Sequence, residues 1–505
     1  MSNSKLKTVA ILFIMTIIMN NIGISQTLTY KIVGTGQTNS YNNTGIITQP
    51  SSGQSFYGQN ANHSGHIPSY IDNGNGTISD NVSGLMWEKT SDKNSDGLIN
   101  YADKKTYAEA LAGASSCNTG GHNDWRLPTI KEIYSLAMYY GAEPNPTASS
   151  QGMAVPYINT NYFDFGYGDL NASSNGATSN ERLIDAQYAS SSIYVATTMN
   201  NQSTMFGYNF ADGRIKGYPS NNMKKYYVMY VRGNTAYGTN NFVENGDGTI
   251  TDNATGLMWM KDDNGTGVLW ENALSYAENS SFGGFSDWRL PNTKELQSII
   301  DYSRSPSTTS SAAINPIFNS TQIINEANVT DYPWYISSTT FSSQTPTNGT
   351  NACYLSFGRA MGYMSALGGW IDVHGAGAQR SDPKTGNPTD YPTGFGPQGD
   401  AIRIYNYVRI VRNAVEENKI DDIENTVKIN IYPNPAHDIL NINLNETSIE
   451  DAEISIYNII GGLEYSQKFE ILNNTNIDIS NLMKGIYFLK VRTNNNVYTN
   501  KIIKN

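Results

Sequence analysis

The chain has little with which to cross-link itself, hold a polyanion or cross a membrane. Two cysteines in 505 residues, Cys117 and Cys353, are too few for a disulfide framework; one bridge between them or two free buried thiols remain open. Charged residues make up only 15 %, and 33 Lys and Arg against 44 Asp and Glu leave a net charge of −11 with no basic cluster. Polyanions are bound chiefly by Lys and Arg displacing counterions, so nucleic acid is disfavoured as a partner. One apolar run, Val9 to Met19, follows Lys5 and Lys7 and precedes the small residues Gly23 and Ser25. It is short for a span, and nothing later approaches the roughly 18 apolar residues a transmembrane segment needs. Residues 1–25 therefore read as a signal peptide and the remainder as an exported chain, soluble or attached from outside. Motifs for chemistry are missing too. There is no Gly-x-Ser-x-Gly elbow, His-Glu-x-x-His, phosphate loop or dinucleotide fingerprint.

Asn, Ser, Thr, Gly and Tyr are abundant instead, the composition of a β-rich, loop-rich extracellular protein with length for about three domains. The chain also repeats itself. Asp124-Trp125-Arg126-Leu127-Pro128 recurs as Asp287-Trp288-Arg289-Leu290-Pro291, and 11 of the 15 residues from Asn73 to Trp87 are identical in Asn245 to Trp259. A duplicated domain follows. Each copy opens with Asn-Gly or Asp-Gly turns between β-formers, which predicts a hairpin. After the Trp motif, Thr129 with Glu132 and Asn292 with Glu295 form capping boxes. Ile133, Leu136, Ala137 and Tyr140, and Leu296, Ile299 and Ile300, then recur at helical spacing.

Strands follow. Tyr194 to Thr198 is matched with Tyr335 to Thr339, and Phe206 to Ile215 with Tyr354 to Tyr363; alternating strands at Tyr226–Arg232 and Tyr405–Arg412 close the copies. Strands at both ends with helices between predict an α+β fold whose termini pair in one sheet. The boundaries are a polar leader at 26–69, repeats at 70–233 and 242–413, a charged linker at 414–426 and a third module at 427–505. That module's short alternating strands, among them Ile454–Asn458 and Gly485–Val491, predict a small all-β sandwich.

The Asn-Gly-x-Gly-Thr-Ile opening, Gly-Leu-Met-Trp87 and Gly-Leu-Met-Trp259, the Asp-Trp-Arg-Leu-Pro segments and the closing Val-Arg strands resemble the C-terminal domain of bacterial collagen-like adhesins. The Trp-Arg-Leu-Pro-Thr helix start is similar to that of the formylglycine-generating-enzyme and C-type-lectin-like superfamily, which implies two tandem domains of that fold. The enzymes of that superfamily work through a cysteine pair in one site, and here the cysteines lie in different repeats. Tyr432-Pro433-Asn434-Pro435, Ile456-Tyr457-Asn458 and Gly485-Ile486-Tyr487 resemble the type IX secretion sorting domain, an immunoglobulin-like sandwich. That resemblance implies the type IX machinery as a partner and export to the outer surface of a Gram-negative bacterium.

Two groups of candidate site residues stand out. Asp92, Asn94, Asp96, the Leu98 carbonyl, Asn100 and Asp103 fall at the positions by which a calcium loop wraps one ion, with Gly97 at the turn. The pattern is similar to the dockerin variant and predicts a structural Ca²⁺, with a helix following over Lys104 to Ala112; the second repeat, with Ala273 at the last ligand position, has no such set. The Gly- and Pro-rich stretch 371–400 carries Asp372, His374, Gln379, Arg380 and Asp382, and Asp212 and Arg214 form a parallel surface in the first repeat. Long irregular stretches in compact domains often bind ligands. Glu143-Pro144-Asn145 resembles the sugar-reading triplet of C-type lectins but has no Trp-Asn-Asp downstream. The expected function is adhesion to an extracellular glycan or protein without catalysis; the alternatives are a hydrolase acting on extracellular polysaccharide and a structural surface-layer component.

Overall fold

Glycine turns start both repeats. The computed structural model describes residues 28–63, 65–414, 429–444, 449–458, 462–472, 474–492 and 497–505, so the expected signal peptide and nearly all of the expected linker lie outside the described residues. Tyr70–Asp72 pairs with Thr77–Asp80, and Phe242–Glu244 with Thr249–Asp252, across turns in which Gly74, Gly76, Gly246 and Gly248 take positive φ. Asn73 donates to the hydroxyls of Thr77 and Ser79 at 2.9 and 3.0 Å, and Asn245 to Thr249 and Thr251 at 2.8 and 2.9 Å. A third strand, Leu85–Glu88 or Leu257–Met260, is flanked by the repeat's last strand, Val231–Gly233 or Val411–Asn413. Both ends of each repeat thus meet in one four-stranded antiparallel sheet.

The twice-written pentapeptide fastens that sheet to the helix after it. Asp124 and Asp287 each hold an arginine of the closing strand, Arg232 and Arg412, at 2.6 Å. Trp125 and Trp288 are buried and donate their indole N–H to the carbonyls of Thr119 and Phe282. Arg126 and Arg289 grip the capping-box carboxylates Glu132 and Glu295 with both terminal nitrogens. The helices are shorter than their apolar spacing predicts: Ile130–Ser135 and Thr293–Ser298, with Leu136 and Ile299 already the C-caps and Tyr140 37 % exposed. The chain leaves the helix because its next amides are taken elsewhere, Met138 by the Tyr157 carbonyl and Tyr139 by that of Thr35. With 33 % strand and 11 % helix the protein is mostly β, not an even α+β mixture.

Both repeats belong to one compact unit that reaches to Val415. They share a six-stranded antiparallel sheet in the order Trp334–Phe341, Asn351–Ser356, Gln379–Pro383, Arg214–Pro219, Thr204–Asn209, Gln187–Tyr188. Three strands come from each repeat, and the joint is the bridge between Gln379 and Ile215.

Side-chain hydroxyls set the true correspondence. Ser190 donates to the Phe206 carbonyl as Ser337 does to that of Cys353, and Ser192 receives the Ile130 amide as Thr339 receives that of Thr293. Tyr188 to Ser192, not Tyr194 to Thr198, therefore matches Tyr335 to Thr339, and Phe206 matches Cys353, not Tyr354. The pattern of β-formers is blind to a shift of this kind, because several offsets match it equally well; helix-capping hydroxyls are not. In this register Phe206 faces Gly217 and Cys353 faces Ser381, which makes Ile215 and Gln379 equivalents. Equivalents paired with each other place a pseudo-two-fold axis at the joint. The helices obey it as well: Lys131 donates to the Ser298 carbonyl at 2.6 Å and Lys294 to that of Ser135 at 2.7 Å. A single core runs across the axis, with Trp87, Tyr134 and Tyr208 from one repeat and Trp259, Leu296 and Tyr335 from the other.

The second unit is a two-sheet antiparallel sandwich. Three strands (Ile429–Tyr432, Ile439–Leu444, Thr475–Asp478) and four (Leu463–Leu472, Ile449–Asn458, Gly485–Arg492, Val497–Lys504) enclose Leu440, Ile442, Ile454, Ile456, Leu489 and Val491. Alternation along Ile449–Asn458 and Gly485–Arg492 puts those side chains inward. Among the described residues no helix is long and apolar enough to cross a membrane.

Candidate functional site

Charged side chains gather where the two repeats' strands meet. The turn before Arg214–Pro219 runs through Gly213 at φ 66°, and Asp212 in that turn reaches forward to Lys216. Arg214 is paired with Glu143 and lies 4.2 Å over the Phe341 ring of the second repeat. Gly217 allows a close approach: a Cβ there would stand 2.7 Å from the His374 carbonyl oxygen. From the second repeat come Arg380, paired with Asp400, and His374, whose Nε2 lies 2.9 Å from the same carboxylate. The cluster thus holds three cations and three carboxylates, drawn from both halves.

Burial dominates its electrostatics. Loss of solvent pushes Lys216 down to about 8 and Arg380 down to about 10, the latter helped by the positive charge of Arg214. His374 is held well below the usual imidazole range, first by burial and next by Arg380, so it is neutral at pH 7 and its Nε2–H donates to Asp400. His374 Nδ1, Asp212 Oδ1, Tyr218 Oη and Arg380 Nε and Nη1 are buried and have no hydrogen-bond partner among the described residues. Such atoms are costly unless something polar meets them. The side chains that reach solvent are Arg214, Lys216, Arg380, Asp400 and Glu143, each between 11 and 18 % exposed.

Of the residues predicted from the sequence, Asp212, Arg214, His374 and Arg380 come together here. Asp382 is a support: its carboxylate takes the amides of Arg403 and Ile404 and the side chain of Asn406, and burial raises it to about 6. Gln379 is fully buried and accepts from Tyr139 Oη at 3.0 Å. Asp372, raised to about 7 by burial, accepts from Tyr194 and from the Gly375 amide, which ties the loop down. Lys216 beside Arg214, Asp400 at the end of the stretch 371–400 and Glu143 of the lectin-like triplet lie in segments the sequence singles out, but their pairing with Asp212, Arg380 and Arg214 is visible only in the structure. Lys216 is the next residue on the strand face of Arg214, whereas Asp400 and Glu143 reach the cluster from loops. Glu143, the first residue of the lectin-like triplet, has its carboxylate committed to Arg214.

The predicted calcium ligands accept from backbone amides of their own loop. Asp103 is fully buried and gives both oxygens to the amides of Lys93, Asn94 and Asn100. Asp92 accepts from the Ser95 and Gly97 amides, Asp96 from Leu98 and from the Asn94 side chain, and Asn100 caps a 3-10 turn through Ala102. Leu98 is 63 % exposed. Among the described residues no group of three or more His, Cys, Asp or Glu side chains is gathered as a metal site. The expected helix follows at Tyr107–Gly113. Both cysteines are free: Cys353 is buried, and Cys117 donates to Glu88.

Duplicated halves fused through one sheet, with a separate sandwich tail, define an exported two-repeat β-protein with a polar centre on its pseudo-axis. The chain belongs to the Lcl C-terminal domain family, whose model matches residues 76–232 and 248–368, more than half of its length. Residues 430–505 match the secretion system C-terminal sorting domain, which marks the protein for type IX secretion and an extracellular location and implies contact with that machinery. The chain is similar to Ulvan lyase NLR42 of Nonlabens ulvanivorans, 35 % identical over 88 residues, or 17 % of this chain and 16 % of that one. It therefore spans less than a fifth of that relative's length. Among solved structures, the Faecalibacterium prausnitzii Beta-glucuronidase is similar at 14 % identity and a TM-score of 0.13, over 24 % of this chain and 21 % of that one, a likeness that carries no argument.

Proposed function

We propose that this is an exported binding protein whose pseudo-axis cluster holds a neutral, polar ligand, an extracellular glycan or a protein surface. The observation that carries the reading is the balance of that cluster: three cations and three carboxylates in pairs, ringed by buried donors and acceptors without partners among the described residues. A sulfated or phosphorylated ligand needs a surplus of cations, which neither the cluster nor the net charge of −11 supplies. Beside it stands a hairpin peculiar to the second repeat, Met361–Met364 with Gly369–Asp372. Its half-buried Tyr363 and Trp370 rings lie 5.5 Å apart, and Gly362 is bridged to Asp400. Rings so placed suit stacking on a sugar. Each repeat fits a C-type-lectin-like plan in that its two ends meet in one sheet.

The second reading is a polysaccharide-acting enzyme, favoured by the His374–Asp400 pair and by the short likeness to an ulvan lyase. Against it, His374 is 1 % exposed and its unpartnered nitrogen has no open face, so it serves holding better than proton transfer. The test is a glycan array with the full chain and with Trp370→Ala, run beside an assay for released sugar. Specific binding, weakened about tenfold or more by Trp370→Ala and without product, is expected. Product release abolished by His374→Ala overturns the reading in favour of the enzyme, and a blank array together with no protein ligand favours a structural role.

A further inference from the structure

The pseudo-axis generates two clefts between the repeats, one on each side, and they differ in what occupies them. On one side the leader is built in. The Gln37 side chain donates to the carbonyls of Tyr139 and Thr340 at 2.8 and 2.9 Å and accepts the Thr340 amide at 3.0 Å, which ties one repeat to the other. Asn60 backs it by donating to the Gln37 carbonyl. The leader enters through Gly34, whose carbonyl receives Lys294 just as that of Gly238, in the inter-repeat connection, receives Lys131. The leader is thus the counterpart of the connection, extended by a segment that the other side lacks.

On the other side lies a cleft of about 420 Å³, lined among others by Lys131, Ser192, Thr239, Tyr302 and Asn315. The register that equates Ser192 with Thr339 equates Ile193 with Thr340. Likewise, Met138 and Asp301, whose amides go to the Tyr157 and Ala313 carbonyls, equate Tyr139 with Tyr302. Ile193 pairs with Met205 through its neighbours' groups, the Tyr194 amide to Thr204 and the Phe206 amide to the Ser192 carbonyl. Its own N–H and C=O therefore face away from that strand, and the residue is 40 % exposed. Neither these two groups nor the Tyr302 carbonyl has a hydrogen-bond partner among the described residues. The three backbone groups that Gln37 clasps on one side are all unclasped on the other.

We propose that this second cleft is a docking site for an extended segment of a partner polypeptide carrying a glutamine side chain, which enters it as the leader enters its mate. A carboxamide is the one side chain that donates twice and accepts once along this triplet, and the mate is filled by polypeptide. The probe is a synthetic peptide of residues 35–41 (Thr-Gly-Gln-Thr-Asn-Ser-Tyr) titrated into the intact chain, followed by calorimetry and by amide chemical shifts. Binding with a Kd of about 0.1–1 mM is expected, weakened about tenfold or more when the glutamine of the peptide is replaced by leucine. On the protein, Thr239→Trp, an exposed position at the cleft mouth, should abolish binding without moving the melting temperature. Three results overturn the proposal: no binding at millimolar peptide, equal binding of the leucine peptide, or binding indifferent to Thr239→Trp, which places the peptide in exchange with the leader. Saturable binding of an N-acetylglucosamine oligomer that excludes the peptide also overturns it, assigning the cleft to an acetamido sugar.

Discussion

Replacing Lys294 by methionine should make the protein's stability respond differently to pH. The lysine is 3 % exposed and crosses the pseudo-axis to the carbonyls of Ser135 and Gly34. Burial drives it down to about 7, against roughly 10.4 for a lysine in the unfolded chain. Below pH 7 both states carry the proton, and its contribution to stability does not change with pH. Between pH 7 and about 10 the unfolded chain holds a proton that the native state has released, so stability rises with pH by about 1.4 kcal/mol per unit. Lys294→Met lacks this rise. At pH 7 it leaves two buried carbonyls without donors, a loss of about 1–3 kcal/mol each that relief of the buried ammonium partly offsets. The gap between wild type and variant should therefore widen by about 2 kcal/mol from pH 7 to pH 9. Lys131, held down to about 8 by burial, titrates in both proteins and cancels in the difference. Urea unfolding followed by tryptophan fluorescence is the assay, because all 7 tryptophans precede residue 415 and the sandwich tail is silent. A gap that stays constant within about 0.5 kcal/mol from pH 7 to pH 9 refutes the reasoning.

Three further outcomes follow from the same contacts. Asp103→Ala should cost about 2–4 kcal/mol by stranding three amides, and a melting scan with EDTA decides the expected calcium: a lowered melting temperature places the ion in the loop, and no shift removes it. Arg412→Ala should cost about 1–2 kcal/mol in a urea titration and Arg232→Ala less, since only Arg412 also packs on a ring, Phe285 at 3.9 Å, and lies 11 % exposed against 23 %. A thiol reagent should label Cys117 in the native protein and Cys353 only on unfolding, because burial both shields the latter and raises its pKa; equal labelling rates would contradict the packing.

What the sequence made legible was local. The glycine hairpins, both capping boxes, the sandwich strands and the duplication each rest on a few neighbouring residues whose chemistry has one sensible outcome. The Asp-Trp-Arg-Leu-Pro segment was legible as an anchor but not as a clamp, since Arg232 and Arg412 lie more than a hundred residues away. The shared sheet was hidden for a different reason. Arg214–Pro219 and Gln379–Pro383 are equivalents with no residue in common at the joint, Ile215 facing Gln379, and a partner strand from another repeat leaves no trace in either segment. The candidate cluster was half visible: Asp212, Arg214, His374 and Arg380 stood out as polar residues in irregular stretches, but their meeting depends on that joint. The calcium pattern is ambiguous in itself. Spacing alone cannot tell carboxylates that converge on an ion from carboxylates that cap amides, and here the amides have them.

The pseudo-axis also decides how many of each kind of site the protein can have. Anything built on the axis occurs once, because the operation maps it onto itself; anything off the axis occurs twice until sequence divergence removes a copy. The cluster lies on the axis, where Lys216 and Arg380 are equivalents and so are Tyr218 and Asp382. A ligand bound there, as proposed, would sit once per chain, and divergence between those pairs would give it a direction. The clefts lie off the axis, and the leader has consumed one of them through Gln37. Duplication without the shared sheet would have given two equal binding domains on a tether, with avidity as the gain. Fusion gives one composite centre and one open cleft, so a titration against a ligand of the cluster should reach one equivalent per chain, and a stoichiometry of two would place that ligand within the separate repeats.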